Sequence, residues 1–451
     1  MTAIDAGIFK AYDIRGVYPG QLNAQIARQV GCAFVDYLGA TRIAVGRDIR
    51  LSSPEIAGAF ALGARSRGCQ VIDIGVASTD MLYYFVAQHE LEGGAIITAS
   101  HNPKEWNGLK LVRQGSLALS GDAGIKEIRA AVLAGRYAED PGELGPASER
   151  QEVGGHYAEH CLSFIDAARL RPTRVVMDAA NGMGAVGARA IFERLPMVER
   201  VEMYFELDGT FPNHPADPLE EHNRRDIVAR VRAERADLGI AWDGDADRCF
   251  FIDDTGEYVP GDFVTAILGE SFCLREPGAR IIYDVRASRA VADRVTAAGG
   301  QALINRVGHA FIKKRMRDEN AAFGGEVSGH FYFRENWYAD NGMIPALLML
   351  ELLARDGRPL SEILRPLREH YHISGEINSR VADAPAALAR LCERYADARV
   401  TALDGISIDY PDWHFNVRPS NTEPLLRLNL EAGSQADMQR HRDELLELIR
   451  Q

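Results

Sequence analysis

Four short stretches of this 451-residue chain carry side chains whose types and spacing could do chemistry together. In the first, Thr98-Ala99-Ser100-His101-Asn102-Pro103 follows the apolar run Ala95-Ile96-Ile97, and Lys110 comes soon after. The run is short enough to be a buried strand. Pro103 forbids an immediate helix and biases Asn102 towards an extended backbone. Ser100 is therefore expected on a rigid turn at a strand end, with His101, an amide and an ammonium group close by. Such a serine can be held up to a substrate and can carry a phosphoryl group. In the second, Asp243-Gly244-Asp245-Ala246-Asp247-Arg248 follows Leu238-Gly239-Ile240-Ala241. Carboxylates at i, i+2 and i+4 in a loop loosened by glycine can converge on one hard cation. Three such oxygens, completed by water or phosphate, suit octahedral Mg²⁺. An EF-hand would need a longer loop and a bidentate Glu at its twelfth position, where this chain has Asp254.

The third stretch is Gly325-Glu326-Val327-Ser328-Gly329-His330, in which Glu326 and Ser328 are expected to point the same way. A carboxylate beside a hydroxyl can grip a sugar diol, although the spacing alone also fits a plain glycine-rich turn. The fourth is Arg418-Pro419-Ser420-Asn421-Thr422-Glu423-Pro424 with Arg427 beyond. Its hydroxyls, amide, backbone N–H groups and two guanidinium forks make an anion cradle, with phosphate as the expected guest.

These loops need elements to hold them. Arg42-Ile43-Ala44-Val45 leads to Asp48, Arg174-Val175-Val176-Met177 to Asp178, and Arg280-Ile281-Ile282-Tyr283 to Asp284. An Ala-rich helical stretch follows each, and then a second apolar segment near Val71–Ile74, Val201–Tyr204 and Ala302–Ile304. Strand, helix, strand at these lengths is a βαβ unit with parallel pairing, and three copies predict three α/β domains of related design. Turn-rich seams fall at 141–146 and 254–261, and a third lies near 365–375. The tail reads as a helix over Pro385–Tyr395, short strands near Val400, 406–410, 413–417 and 425–430, and a last helix over Gln435–Ile449. That is a smaller α+β domain.

Composition limits the partners. A net charge of −13 opposes nucleic acid and acidic membranes, so an anionic substrate needs a locally basic pocket. Six scattered cysteines with no Cys-x-x-Cys pair suit reduced thiols in a cytoplasmic protein. No signal peptide is visible, and the most apolar stretch, Met343–Leu353, is too short to span a bilayer and reads as a buried helix. Gly182-Met183-Gly184-Ala185-Val186-Gly187 matches a dinucleotide fingerprint, with Glu202 and Glu206 near the place of a ribose-binding acid. A dehydrogenase would, however, leave the Ser100 loop and the Asp triplet idle.

Taken in order, Phe9 to Gly16, Thr98 to Pro103, Asn107-Gly108-Leu109-Lys110, Asp243 to Arg248, Val307-Gly308-His309, Gly325 to His330 and Arg418 to Pro424 resemble the motifs of the α-D-phosphohexomutase superfamily, phosphomannomutase/phosphoglucomutase branch. The resemblance spans nearly the whole chain. It implies three related α/β domains with mixed sheets plus a C-terminal α+β domain around a central active-site cleft, at 1–146, 147–254, 255–368 and 369–451. It implies that Ser100 is the phosphorylated serine, that Asp243, Asp245 and Asp247 hold Mg²⁺ with an oxygen of its phosphate, and that Glu326 and Ser328 read the sugar's O3 and O4 with His330 beside them. Arg418, Ser420, Asn421, Thr422 and Arg427 would hold the phosphate that is not reacting. Tyr12, Arg15, Lys110, Arg248 and His309 would line the reacting end, and His101 would face the substrate.

The reaction so implied is a reversible shuttle between hexose 1-phosphate and hexose 6-phosphate through a hexose 1,6-bisphosphate that also serves as activator. Lys110 and His309 are both candidates for the base. A site that reads O3, O4 and a distal phosphate is blind to C2, so mannose and glucose phosphates are both expected substrates. Neither nucleic acid nor membrane is expected as a partner, and a monomer or weak homodimer is. Turnover of the bisphosphate would need the tail domain to hinge near 365–375. The alternatives are a phosphoglucosamine mutase, against which Val327 stands where those enzymes typically have Gln, and a metal-dependent sugar phosphatase.

Overall fold

The computed structural model describes residues 4–121, 123–137, 144–419 and 425–451. They fall into two compact units. One is the chain up to Val259 together with Ser328–Pro359, and the other is Pro260–Val327 together with Leu360–Gln451.

The expected βαβ repeat is present three times. In the first unit it consists of β2 (Arg42–Arg47), β3 (Gln70–Val76) and β4 (Gly93–Ile97), after a short β1 (Ile14–Val17) and before β5 (Trp106–Arg113). The second copy is β6 (Thr173–Asp178), β7 (Val198–Met203) and β8 (Leu238–Trp242), followed by β9 (Cys249–Ile252). The second unit holds the third copy, β10 (Arg280–Asp284), β11 (Gln301–Asn305) and β12 (Phe323–Gly325). In every copy the first strand is central and pairs in parallel with the second on one side and the third on the other. Parallel strands covered on both faces read as continuous apolar runs, and all five residues of β4 and of β8 are buried.

This order places the chemistry. β5 turns back antiparallel on β4, and β9 on β8. The serine loop and the aspartate loop are therefore the same connection, the turn after the third strand, in two copies of one design. Glu326 opens the equivalent turn after β12.

The serine loop stands on a tightly packed base. Helix α1 (Ala24–Leu38) is capped by Asn23, whose side chain accepts from Ile26 N, and ends at Gly39 with φ 64°. Helix α2 (Ser53–Arg65) has Pro54 in its first turn and crosses α1 through two glycines. A Cβ on Gly31 would lie 2.2 Å from the Phe60 carbonyl, and one on Gly63 would lie 2.0 Å from the Arg28 carbonyl.

The fingerprint glycines serve packing of the same kind. A Cβ on Gly182 would be 2.9 Å from the Gly244 oxygen, and one on Gly187 would be 2.8 Å from Met343. These glycines let the helix Gly184–Phe192 settle against the aspartate loop and the helix Ile344–Asp356.

In the tail, strands Ile377–Arg380, Arg399–Thr401, Ile406–Asp409, Trp413–Pro419 and Leu425–Ala432 form an antiparallel sheet. Helices Ala384–Arg394 and Gln435–Arg450 cover it through a core that includes Leu391, Phe415, Leu428 and Leu445. All six cysteines are free. Among the described residues no helix is long and apolar enough to cross a membrane.

Candidate active site

Ser100 is 1% exposed and lies in the left-handed region at φ 51°. Its N–H donates to Thr98 Oγ1 at 2.9 Å, and Asn102 N–H donates to the Ala99 carbonyl at 3.0 Å. The Ser100 hydroxyl donates to Asp243 Oδ2 at 2.7 Å and lies 3.2 Å from His101 Nδ1. A serine and an aspartate 143 residues apart are thus brought into contact. Gly244 is needed for this approach: a Cβ there would come within 2.4 Å of the Ser100 carbonyl. The expectation of a loop loosened by glycine is corrected accordingly. Gly244 supplies clearance, and the left-handed residue of the loop is Ala246, at φ 59°.

Asp243, Asp245 and Asp247 each present a carboxylate oxygen within 4.8 Å of the others, and all three are buried. Lys110 reaches into the group, with Nζ 2.6 Å from Asp245 Oδ2 and 2.5 Å from Asp247 Oδ2. Thr79, at the first turn of helix α3 (Thr79–Gln88), donates its hydroxyl to Asp245 Oδ2 at 2.5 Å and its N–H to the Asp245 carbonyl at 3.1 Å. Asp245 Oδ1 is buried with no hydrogen-bond partner.

The electrostatics follow from this placement. Burial pushes the Asp243 carboxyl well above the usual carboxylate range, and the charges of Asp245 and Asp247 push it further. Burial and Asp247 also push on Asp245, but the Lys110 ammonium and the Thr79 hydroxyl outweigh them and hold it below that range. For Lys110 burial favours the neutral amine, yet the three aspartates win and raise its pKa. His101 is driven well below its ordinary value by burial, with Arg248 and Arg15 adding to the effect. Three buried hard oxygen donors with one orphaned oxygen fit a divalent cation such as Mg²⁺.

Other expected residues gather round this core. Arg15 donates to Asn102 Oδ1 at 2.5 Å and pairs with Asp13. Arg248 donates its N–H to Asp243 Oδ1 at 3.2 Å and its Nε to His330 Nε2 at 3.3 Å. Ser328 Oγ is 3.2 Å from His330 Nδ1. Tyr12 is half-buried just before β1.

The second unit holds a separate constellation. Glu376 lies among three guanidinium groups, 2.9 Å from Arg418, 3.0 Å from Arg427 and 3.6 Å from Arg286. Arg418 and Arg427 are direct cross-strand partners, so the carboxylate sits where two like charges face each other. Burial raises the Glu376 carboxyl, but the three arginines outweigh it and keep it ionised. Arg286 also pairs with Asp284 at 2.8 Å and lies 3.6 Å from Glu326. Glu326 Oε2 accepts from Gly308 N at 3.2 Å, at the start of the helix His309–Glu319. Glu326 and Ser328 fall on opposite sides of the division into units. Ser420, Asn421 and Thr422 lie outside the described residues. Three residues with evident places in these constellations were not expected: Thr79, Arg286 and Glu376.

Comparison with known proteins agrees with this geometry. Four phosphoglucomutase/phosphomannomutase profiles match in succession: α/β/α domain I over residues 6–139, domain II over 155–256, domain III over 260–371, and the C-terminal domain over 376–448. The chain is 42% identical over 445 residues to a protein of Xanthomonas campestris pv. campestris (strain B100) described as phosphohexose mutases, covering 98% of this chain and 99% of that one. It is 40% identical over 451 residues to a phosphomannomutase of Salmonella typhimurium (strain LT2), with 98% and 99% covered. A crystal structure of a phosphoglucomutase/phosphomannomutase family protein from Burkholderia thailandensis superposes with a TM-score of 0.88 at 33% identity, over 99% of this chain and 97% of that one. The chain belongs to the phosphoglucomutase/phosphomannomutase family and is a phosphohexomutase, an isomerase that interconverts hexose 1-phosphates and hexose 6-phosphates.

Proposed function

We propose that Ser100 is the residue through which the phosphoryl group passes, that Asp243, Asp245 and Asp247 hold Mg²⁺, and that mannose and glucose phosphates are both substrates. The observation that carries this reading is the contact of Ser100 Oγ with Asp243 at the edge of a buried carboxylate cluster. A cation bound there, with an oxygen of the serine phosphate among its ligands, would offset negative charge on the transferring group.

The residues divide the work. The O6 hydroxyl of a hexose 1-phosphate attacks the phosphorus of phospho-Ser100. The new P–O6 bond forms as P–Oγ breaks, and the O6 proton leaves to a base. After the bisphosphate reorients, Ser100 Oγ takes the phosphoryl from O1 and hexose 6-phosphate departs. When Ser100 must give up its proton, Asp243 Oδ2 and His101 Nδ1 are within reach. Lys110 is held by two carboxylates and raised by them, so it acts as a fixed cation, and His309 is the remaining base candidate. Arg15 and Arg248 add positive charge at the reacting end, and His330 supports Arg248. Glu326 and Ser328 read the sugar hydroxyls. Arg418, Arg427, Ser420, Asn421 and Thr422 take the distal phosphate, which would replace Glu376 as the partner of both arginines.

Coupled assays on mannose, glucose and glucosamine 1-phosphates, with and without a hexose 1,6-bisphosphate, test the reading. Mannose and glucose 1-phosphates are expected to turn over at similar kcat/KM, and preference for the glucosamine ester would refute the specificity. Ser100→Ala should abolish turnover. The phosphate that a hexose 1,6-bisphosphate leaves on the wild-type protein should survive hydroxylamine, because a phosphoserine is not an acyl phosphate. Its loss would instead place the phosphoryl on a carboxylate.

A further inference from the structure

Arg50 touches none of the groups assigned a role above except through the main chain, yet its side chain is fully buried beneath the serine loop. Nη2 donates to the carbonyls of Ser100 and Asn102, both at 2.7 Å. Nη1 donates to the carbonyls of Pro103 at 2.7 Å and Trp106 at 3.0 Å. Nε donates to Asp48 Oδ2 at 3.1 Å, which uses the remaining face of the fork. Phe211 covers the guanidinium with its ring centroid 5.2 Å away, and Gly209 allows that cover because a Cβ there would strike the Ile49 carbonyl at 2.3 Å. Asp48 is fixed in turn by Arg50 N and by Ser53 Oγ, and Ser53 also accepts from Asn107.

We propose that Arg50 is a positioning residue for phosphoryl transfer, gathering four carbonyls of the 100–106 loop onto one guanidinium so that Ser100 keeps its left-handed conformation and these partial negative charges stay off the serine phosphate. A left-handed non-glycine residue is unfavourable on its own, so something must hold it. The Ser100 carbonyl is caught between Arg50 on one side and the glycine of the aspartate loop on the other. A carbonyl released from the guanidinium could rotate towards the dianion and repel it. Only a planar fork with five donors can serve four acceptors and a carboxylate together; a lysine has three donors. The third repeat supports the assignment independently. Arg286 stands two residues after Asp284, as Arg50 does after Asp48, and it also reaches towards the turn after the third strand of its own copy, at Glu326.

The inference rests on Ser100 as the phosphoryl carrier, and its test separates the two. Wild type, Arg50→Lys and Arg50→Gln are compared for kcat, KM, melting temperature, phosphate on Ser100 by intact mass after exposure to a hexose 1,6-bisphosphate, and the ³¹P resonance of the phosphoserine. Arg50→Lys keeps a cation beside Asp48, so folding is expected to persist. Its kcat should fall roughly 10- to 100-fold while KM for the hexose 1-phosphate stays within about threefold. Its ³¹P resonance should shift or broaden, and Arg50→Gln should lose more activity than Arg50→Lys. A kcat for Arg50→Lys within about twofold of wild type would overturn the inference. So would a loss that tracks the melting temperature while the ³¹P signal is unchanged, since Arg50 would then be structural only. Wild type that never gains phosphate on Ser100 would remove the underlying reading, and this inference with it.

Discussion

Lys110 offers the sharpest test of the aspartate cluster. Its ammonium bridges Asp245 and Asp247 at 2.6 and 2.5 Å, with side chains 10%, 0% and 2% exposed respectively. At an effective dielectric near 20, each of these contacts is worth roughly 6 kcal/mol of attraction before desolvation is subtracted. Removing one member of such a buried group leaves uncompensated charge, which costs about 3–5 kcal/mol. Lys110→Met keeps the length of the side chain and deletes the charge. In chelator, its melting temperature should therefore fall by roughly 6–20 °C, taking about 2–4 °C per kcal/mol for units of this size. The same substitution clears Asp245 Oδ2 and Asp247 Oδ2 for a divalent cation. Mg²⁺ should then restore stability more steeply in the variant than in wild type, with about 2.7 kcal/mol recovered at a hundredfold excess over Kd. Calorimetric melts across a Mg²⁺ series, beside direct titration of Mg²⁺ affinity, read both effects. A fall of under about 2 °C in chelator, or an identical Mg²⁺ response in the two proteins, would refute the view that Lys110 neutralises these carboxylates in the metal-free state.

Burial pushes the Asp80 carboxyl up to about 7, so between about pH 4 and pH 7 the folded chain holds a proton that the unfolded chain has released. The stability from this group is full below that window and lost as pH rises through it. Asp80→Asn should flatten that decline while lowering the melting temperature at every pH, because the one amide oxygen of Asn cannot accept from Tyr157 and Gly342 on one side and from Ser78 and Met81 on the other; an unaltered pH slope would sink the assignment. Gly63→Ala should cost about 1–3 kcal/mol or more by forcing α1 from α2, whereas Gly58→Ala on the same helix meets nothing within 4 Å and should be neutral or stabilising. Equal denaturation midpoints for the two variants would show that the helix crossing is not tight.

What could be read from the chain before folding was whatever lies close together along it. The serine turn, the aspartate triplet and the apolar runs of the three repeats are local, and each is where it was expected. The role of the loop glycine is not legible locally because it is set by a neighbour 144 positions away in the chain: the Ser100 carbonyl occupies the space a Cβ on Gly244 would need. Thr79 was missed for the same reason, since its partner Asp245 is 166 residues distant and a threonine at a helix start has an adequate local explanation as a cap. Glu376 looked like one more acid until the strands Trp413–Pro419 and Leu425–Ala432 set two arginines opposite each other beside it.

Arg50 and Arg286 are different, because their signal is local in the chain. Each copy of the repeat carries an aspartate at the end of its first strand: Asp48, Asp178 and Asp284. In the fold all three do the same thing, accepting from the N–H two residues on at 3.0, 2.9 and 2.8 Å. That turn delivers the second following residue to the turn after the third strand. In the first copy it delivers Arg50 to the serine loop, and in the third it delivers Arg286 to the vicinity of Glu326. In the second copy the residue is Ala180, and Asp178 is left to take His214 at 3.0 Å. The difference follows from charge. On the reading proposed above, the three carboxylates of the second loop would receive a cation and already hold the Lys110 ammonium, so a buried guanidinium would add a second fixed competitor. On the same reading the first and third loops would present a phosphoserine and a sugar-reading carboxylate, each of which would gain from a buried arginine. Asp-x-Arg at the close of a repeat's first strand thus sets the first and third copies apart from the second, and it can be read without coordinates once the repeat is seen.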